Sequence, residues 1–524
     1  MVWRIDDPQG DEAAKIKYLA VPYTRGIGAD IGCGPRKAFQ HFIGVDNCKD
    51  TELFGIPIEP DIRADVDKEL PFDDGELDFV FSSHTLEHID DHKAALAEWW
   101  RVIKPGGHLC LYLPHADFYP RVGEPGANHD HKHDFLPEDI VAAMTEVGNG
   151  WQLLENEARD EGLEYSFWQV YRKTEDGRHV MAYAAPKPRR TACVVRYGGF
   201  GDQLQAANIL PALKRQGYHV TFLTTPKGQD VLAHDPHVDA WLLQDTDQVP
   251  NGELWAFWRA WEARFDKWVN LSESVEGTLL AMPGRANHAW PDDMRRRRLN
   301  VNYLEFTAEL AGVPYRSEAR FYTSESERAW ADDFLREHDI GPEHFLVVVA
   351  LSGSSLHKAY PWLDNVLAKL LLTMPDARFV MVGDVACKVL EQGWELEPRV
   401  VRTSGELAIR ETLTLASLAG CVVGPETGVL NAVAFDPVVG KVCLLSHSSV
   451  ENLTKHWRNA IAITPPAEVG CYPCHRLHYG ADFCNVEPES GAALCQYAID
   501  PARVTDAIVR IAKRRGGHEG RHAA

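Results

Sequence analysis

The chain has 524 residues, 45% of them apolar and 25% charged, which is too long for a single core and fits about three domains at ~150 residues each. Its net charge of −22 is uneven: residues 1–175 hold 17 Lys+Arg against 34 Asp+Glu and the remainder 37 against 42, so a nucleic-acid backbone is a poor partner for the acidic front. No apolar run nears the ~18 residues that span a bilayer, and the start, Met1 to Asp7, has no secretory pattern. A cytoplasmic protein without a transmembrane segment is expected, its 11 cysteines serving as thiols or metal ligands rather than disulfides.

Short β-branched or aromatic runs alternate with helical periodicity in three stretches, the pattern of α/β units around parallel sheets. The predicted class is α/β with three Rossmann-like parallel-sheet domains. The first covers 1–178 and ends in a strand, Tyr165 to Arg172. A linker at 179–190 contains Pro186 and Pro188, which lack amide donors. A second domain spans 191–335, opening on the strand Ala192 to Arg196. A third spans 336–513, from the strand Phe345 to Ala350 to a helix at Pro501 to Lys513, and the tail 514–524 is expected to fray.

In the front domain, Ala29-Asp30-Ile31-Gly32-Cys33-Gly34-Pro35 reads as a strand entering a glycine turn, where backbone can approach a bound nucleoside closely. Phe42 to Asp46 is a second strand with a carboxylate at its tip, followed by Asp65, a strand at Leu77 to Ser83, and a helix containing Trp99, Trp100 and Arg101. This ordered set resembles the class I S-adenosylmethionine methyltransferases over about 150 residues. The resemblance implies S-adenosyl-L-methionine as cofactor, with Asp30, Gly32 and Gly34 on the methionine part, Asp46 on the ribose and Asp65 on the adenine amino group. Arg36 stands where the family often has a further glycine. His84, Glu87 or His88, after the fourth strand, is a candidate general base toward an acceptor hydroxyl or carboxyl. The plainer reading is that Leu86 and His88 cap and pack the turn. A loop with His115, Asp117, His129, Asp130, His131, His133 and Asp134 reads either as a polar acceptor lid or as a source of metal ligands.

The rear half carries Arg196-Tyr197-Gly198-Gly199-Phe200-Gly201-Asp202 before a predicted helix from Ala206 to Gln216. Further on come Leu351 to Trp362 with Lys358, a helix starting at Arg410-Glu411, and Gly424-Pro425-Glu426-Thr427-Gly428, a turn that aims amides at an anion. These pieces resemble the heptosyltransferases of glycosyltransferase family nine across about 330 residues. That implies a GT-B fold of two facing lobes, and inverting transfer from an ADP-heptose-like nucleotide-diphosphate sugar to a glycan, lipid-linked glycan or protein acceptor. On the resemblance Asp202 is the catalytic base, Lys358 and the Thr427–Gly428 amides meet the diphosphate, and Glu411 lies near the nucleoside. Asp202 as a helix N-cap is the competing reading. Glu426 and Asn431 depart from the family's Asp-Thr-Gly-x-x-His, so the donor need not be ADP-heptose. Arg295 to Arg298 reads as a solvated face.

Cys471, Cys474, Cys484 and Cys495, mixed with His475 and His478, suit a structural zinc or iron site, against a bland alternative of unligated buried thiols. The whole chain is expected to be bifunctional, transferring a sugar and a methyl group. One alternative pairs an active methyltransferase with a degenerate lobe pair that only binds glycan or nucleotide sugar; another makes the front half a cofactor-binding scaffold.

Overall fold

The computed structural model describes residues 11–49, 52–53, 55–181, 190–272, 279, 281–353, 355, 358–476 and 484–522, the last eight as backbone only. Linker residues 182–189 and His478 lie outside them. The chain divides into two compact units, one of residues 1–189 with 242–265, the other of 190–241 with 266–524.

The first unit is built on one sheet. Its strands are β1 (Gly28–Ile31), β2 (Ile43–Asp46), β5 (Ile62–Arg63), β6 (Leu77–Ser83), β7 (Ile103–Pro114), β8 (Trp151–Arg159), β9 (Ser166–Lys173) and β10 (Val180–Met181), while β3 (Glu52–Leu53) and β4 (Ile56–Pro57) form a separate hairpin. The order is β10-β8-β9-β7-β6-β1-β2-β5. The run from β5 through β2, β1 and β6 to β7 is parallel, and β9 joins β7 antiparallel. Strand order reverses between β1 and β6, the place where open α/β sheets leave a crevice at their C-terminal ends.

Asp91 caps the helix His92–Val102 by accepting from the Ala94 amide at 3.0 Å, and the helix buries Leu96, Trp99 and Trp100 toward the sheet core. Residues 242–265 interrupt the lobe expected at 191–335 and belong to this unit. Their helix Leu254–Glu262 packs on the helix Ala13–Ala20, with Phe257, Trp258 and Trp261 buried. Trp261 Nε1 donates to the Tyr18 carbonyl at 3.0 Å, and Lys17 meets Glu253 at 2.8 Å.

The second unit holds two sheets. The first combines β11 (Thr191–Val195), β12 (His219–Thr224), β13 (Ala240–Leu243) and β14 (Lys267–Asn270) in the order β13-β12-β11-β14, with β11 parallel to both β12 and β14. The other combines β15 (Phe345–Ala350), β16 (Ala377–Val382), β17 (Val400–Arg402), β18 (Cys421–Pro425), β19 (Gly440–Leu444) and β20 (Ala460–Ile463), all parallel, in the order β17-β16-β15-β18-β19-β20. The Leu-Val-Val-Val-Ala run of β15 is buried throughout, as a strand covered on both faces requires. One apolar cluster takes in β11, β12, β15 and the helices at 200–206 and 428–433, so the two sheets share a core. The class is thus α/β with three Rossmann-like parallel-sheet layers.

Two expectations are corrected. Phe200–Ala206 is a helix of its own, so Asp202 lies inside a first turn, and the helix expected from Ala206 to Gln216 is a 3-10 turn, Ala207–Ile209, followed by a helix at Leu210–Arg215. The last helix runs from Pro501 to His522. Arg295 is 1% exposed rather than solvated, because its guanidinium is taken up by the carbonyls of Trp290 and Cys474 and by Asp292. No helix among the described residues is long and apolar enough to cross a membrane.

Candidate active sites

In the first unit the crevice between β1 and β6 collects most of the residues singled out in the sequence. Gly32, with φ +71°, and Gly34, with φ +53°, form the turn after β1. A Cβ on Gly32 would stand 2.2 Å from Thr85 Oγ1, so only glycine leaves room for the loop after β6. Asp46 ends β2 with one carboxylate oxygen accepting from the Gly34 amide at 3.0 Å and the other from the Cys48 amide at 2.9 Å. The turn and the strand-end carboxylate are thereby tied together. Asp30 is 2% exposed and accepts from the Ala38 amide at 2.8 Å; burial raises its pKa to about 7, against that bond and Lys37. Asp65 is not gathered with them: it is exposed and pairs with Lys68 at 2.9 Å.

The loop after β6 delivers His84, Glu87 and His88. Glu87 is fully buried, and neither carboxylate oxygen has a hydrogen-bond partner. Burial therefore lifts its pKa to about 8. Around Glu87 Oε1 stand His84 Nδ1 at 3.7 Å, His88 Nε2 at 3.8 Å and His131 Nε2 at 3.8 Å. Burial lowers the pKa of all three rings, to about 3 at His84 and about 4 at His131. His84 Nε2 is also 2.9 Å from Ser166 Oγ. Of the remaining lid histidines, His133 contacts the Ile89 carbonyl at 2.9 Å and His115 stacks on Phe118, which are packing roles.

In the second unit the residues come from loops at the C-terminal ends of β11, β15, β18 and β19, as in other open α/β sites. Asp202 is the third residue of its helix, not the N-cap. One oxygen accepts from the Gly199 amide at 2.8 Å, and the other faces the Arg196 guanidinium at 2.8 Å. The helix start packs directly on the turn after β18: a Cβ on Gly201 would stand 2.9 Å from Asn431 Nδ2, and one on Gly428 would stand 2.1 Å from the Phe200 ring. Thr427 caps the helix Gly428–Val433 through Val429, and Glu411 accepts from the Ala408 amide at 2.7 Å. Both therefore have local capping roles here.

Lys358 is 5% exposed and donates to the Glu426 carbonyl at 3.1 Å. Burial lowers its pKa, while the charges of Glu426 and Asp202 oppose the fall, so the three groups sense one another. Glu426 accepts from the amides of Ser446 and Ser448 at 2.8 and 3.0 Å, from Ser446 Oγ at 3.0 Å, and lies 2.5 Å from His447 Nδ1. Burial works against its ionisation, but His447, Lys358 and the Ser446 amide outweigh that and hold the carboxyl at about 2. Sequence reasoning missed Arg196, His447 and the two serines as site residues. A polar Ser446-His447-Ser448 run directly after a buried strand was the available signal.

Cys471, Cys474, Cys484 and Cys495 line one cavity of about 180 Å³ with Ser446, His447 and Arg295. Burial raises Cys474 to about 12, and its neighbours Cys484 and Cys471 add to the rise. Among the described residues, Glu87, His88 and His131 form the one group of three or more potential ligands placed to hold a metal ion, their ligand atoms all within 4.8 Å of one another. The four thiols have the chemistry to hold zinc or iron.

A mostly parallel sheet whose switch point carries an Asp-x-Gly-x-Gly turn facing a strand-end carboxylate defines a nucleoside-cofactor site of the Rossmann kind. Residues 29–111 match the family model described as a methyltransferase domain. The chain is similar to the ubiquinone/menaquinone biosynthesis C-methyltransferase UbiE of Psychromonas ingrahamii, 33% identical over 116 residues, which are 19% of this chain and 44% of that protein. It spans about half the length of the curated UbiE relatives it matches. Among solved structures, it is similar to a glycosyltransferase family 9 protein from Veillonella parvula, at TM-score 0.46 and 14% identity, covering 62% of this chain and 97% of that one. It is also similar to the iron-containing dodecameric glycosyltransferase TibC of enterotoxigenic E. coli, at TM-score 0.41 and 15% identity, covering 64% and 84%.

Proposed function

We propose that the chain is a dual transferase. Its second unit moves a sugar, with inversion, from a nucleotide-diphosphate sugar to a glycan or protein acceptor; its first unit methylates a small-molecule or glycan substrate with S-adenosyl-L-methionine. The observation that carries the glycosyl reading is the convergence of Asp202, Lys358 and Glu426 from three strand ends on one place. Asp202, whose side chain is 32% exposed, takes the acceptor proton as the hydroxyl oxygen bonds to the anomeric carbon. Lys358 balances the charge that grows on the departing diphosphate. Incubation of the full chain with a panel of nucleotide sugars and water as acceptor tests this: no nucleotide diphosphate released from any donor overturns it.

The methyl-transfer reading is supported by the tie between the Gly32–Gly34 turn and Asp46 and by the match at residues 29–111. When bound, the sulfonium cofactor supplies an activated methyl group; Asp46 accepts from its ribose hydroxyls. Asp65 in this reading must release Lys68 to reach the adenine. In the same reading the four cysteines hold a structural zinc or iron, supported by their lining a single cavity.

A second reading has one observation in its favour. The Asp202 carboxylate is already engaged by Gly199 and Arg196, and Phe200 covers Gly428, which suits lobes that bind a nucleotide sugar without turning it over. Donor binding without release separates it from the first.

A further inference from the structure

The most exposed inconsistency in the first unit is electrostatic. Glu87 is 0% exposed and both of its oxygens lack any hydrogen-bond partner, which in a native interior costs several kcal/mol unless something unseen satisfies the group. Nothing about packing explains a carboxylate here, since an apolar residue would fill the same space without that cost. Three imidazole nitrogens surround it: His84 Nδ1, 3.7 Å from Oε1 on a ring already held by Ser166, and the pair His88 Nε2 and His131 Nε2, each 3.8 Å away.

That separation is too long for a hydrogen bond. It lies within the ~4.2 Å that one ion can bridge with two bonds of about 2.1 Å. The rings are 4.8 Å apart between centroids and nearly perpendicular, at 81°, so they do not stack on each other. The three ligand atoms all lie within 4.8 Å of one another.

The arrangement is also built, not casual. The amides of Lys132 and His133 donate to the Glu87 carbonyl, at 2.7 and 3.3 Å. These two bonds bring His131 from a distant loop to the carboxylate.

We propose that Glu87, His88 and His131 hold a divalent transition-metal ion, zinc, manganese or iron, at the mouth of the β6 loop. Two imidazoles and one carboxylate leave coordination positions open for water or for an oxygen of a bound molecule. The site is separate from the four cysteines in ligand chemistry, having nitrogen and oxygen donors only. It stands on the side-chain geometry and does not require the methyl-transfer reading.

The test uses the full chain loaded with Zn2+, desalted, and analysed for bound metal, beside His131→Gln and Glu87→Gln. His131→Gln is chosen because its loop stays anchored through Glu87's backbone even if Glu87→Gln folds poorly. The expected result is that each variant holds one equivalent fewer than the wild type, while Cys474→Ser keeps the equivalent the histidine variant loses. Loading with Co2+ should show a set of ligand-field bands that His131→Gln removes, while any sulfur charge-transfer band from the cysteines is unchanged by that substitution. Equal metal content in wild type and His131→Gln overturns the proposal. Calorimetry with S-adenosylhomocysteine on the same samples reports the cofactor site independently, so failure of one reading is distinguishable from failure of the other.

Discussion

Arg196, 3% exposed at the end of β11, places its guanidinium 2.8 Å from the carboxylate of Asp202, six residues on. The ion pair keeps Asp202 aimed while a third of its side chain stays open to solvent. A carboxylate held this way keeps an open face, which is what the proposed role as a base needs. Asp202→Asn keeps the shape, since the amide oxygen can still accept from Gly199. It should reduce sugar transfer by roughly 10²–10⁴-fold with little change in melting temperature. Steady-state kinetics that show undiminished turnover would remove Asp202 from the chemistry.

Asp46 joins the cofactor turn to β2 through the amides of Gly34 and Cys48. Asp46→Ala removes the ribose acceptor and loosens the turn together. S-adenosylhomocysteine should bind at least tenfold more weakly, about 1.4 kcal/mol, in calorimetry. Unchanged affinity would mean that the ribose lies elsewhere.

Gly32→Ala introduces a side chain at φ +71° and directs it against Thr85. The left-handed conformation alone costs about 1–2 kcal/mol, and the contact adds to it. Thermal unfolding of the variant should show the loss, and bound S-adenosylhomocysteine should recover little of it. A variant as stable as the wild type would show that the turn can relax.

Glu426 should make the second unit acid-sensitive. Its folded pKa of about 2 lies below the ordinary 4.5, so its stabilising contribution is complete above 4.5 and disappears as pH falls through about 2. Glu426→Gln leaves Lys358 and His447 without their counter-charge and should cost about 3–5 kcal/mol at neutral pH. The variant should also lose the wild type's drop in stability across that acid window. Parallel pH–stability curves for the two proteins would contradict this.

The parallel sheets were legible because their strands carry their burial in composition. Phe345 to Ala350 is an unbroken apolar run and Leu77 to Ser83 concentrates Leu77, Phe79, Val80 and Phe81, and the structure makes strands of both. The glycine turn and Asp46 were legible for a related reason: close backbone approach admits few residue types. Arg196 and His447 were not, since each acts through a partner that only folding brings near, Asp202 in one case and Glu426 in the other. His131 was legible as a candidate ligand, but its pairing with Glu87 was not. It sits 44 residues from Glu87, and the two backbone bonds that bring it there leave no mark in the sequence. Arg295 was misread because four consecutive arginines suggest water, whereas one turn of helix points the first of them inward.

The excursion of residues 242–265 into the first unit bears on where such a chain can be divided. The tryptophans that cover Ala13–Ala20 lie in the sequence between two segments of the other unit. Cutting after Arg189 would yield a front fragment with a bared, sticky stripe along its first helix, and a partner fragment dangling an orphaned aromatic helix. The chain is therefore not separable at the proline-rich junction: division there exposes apolar surface on both fragments.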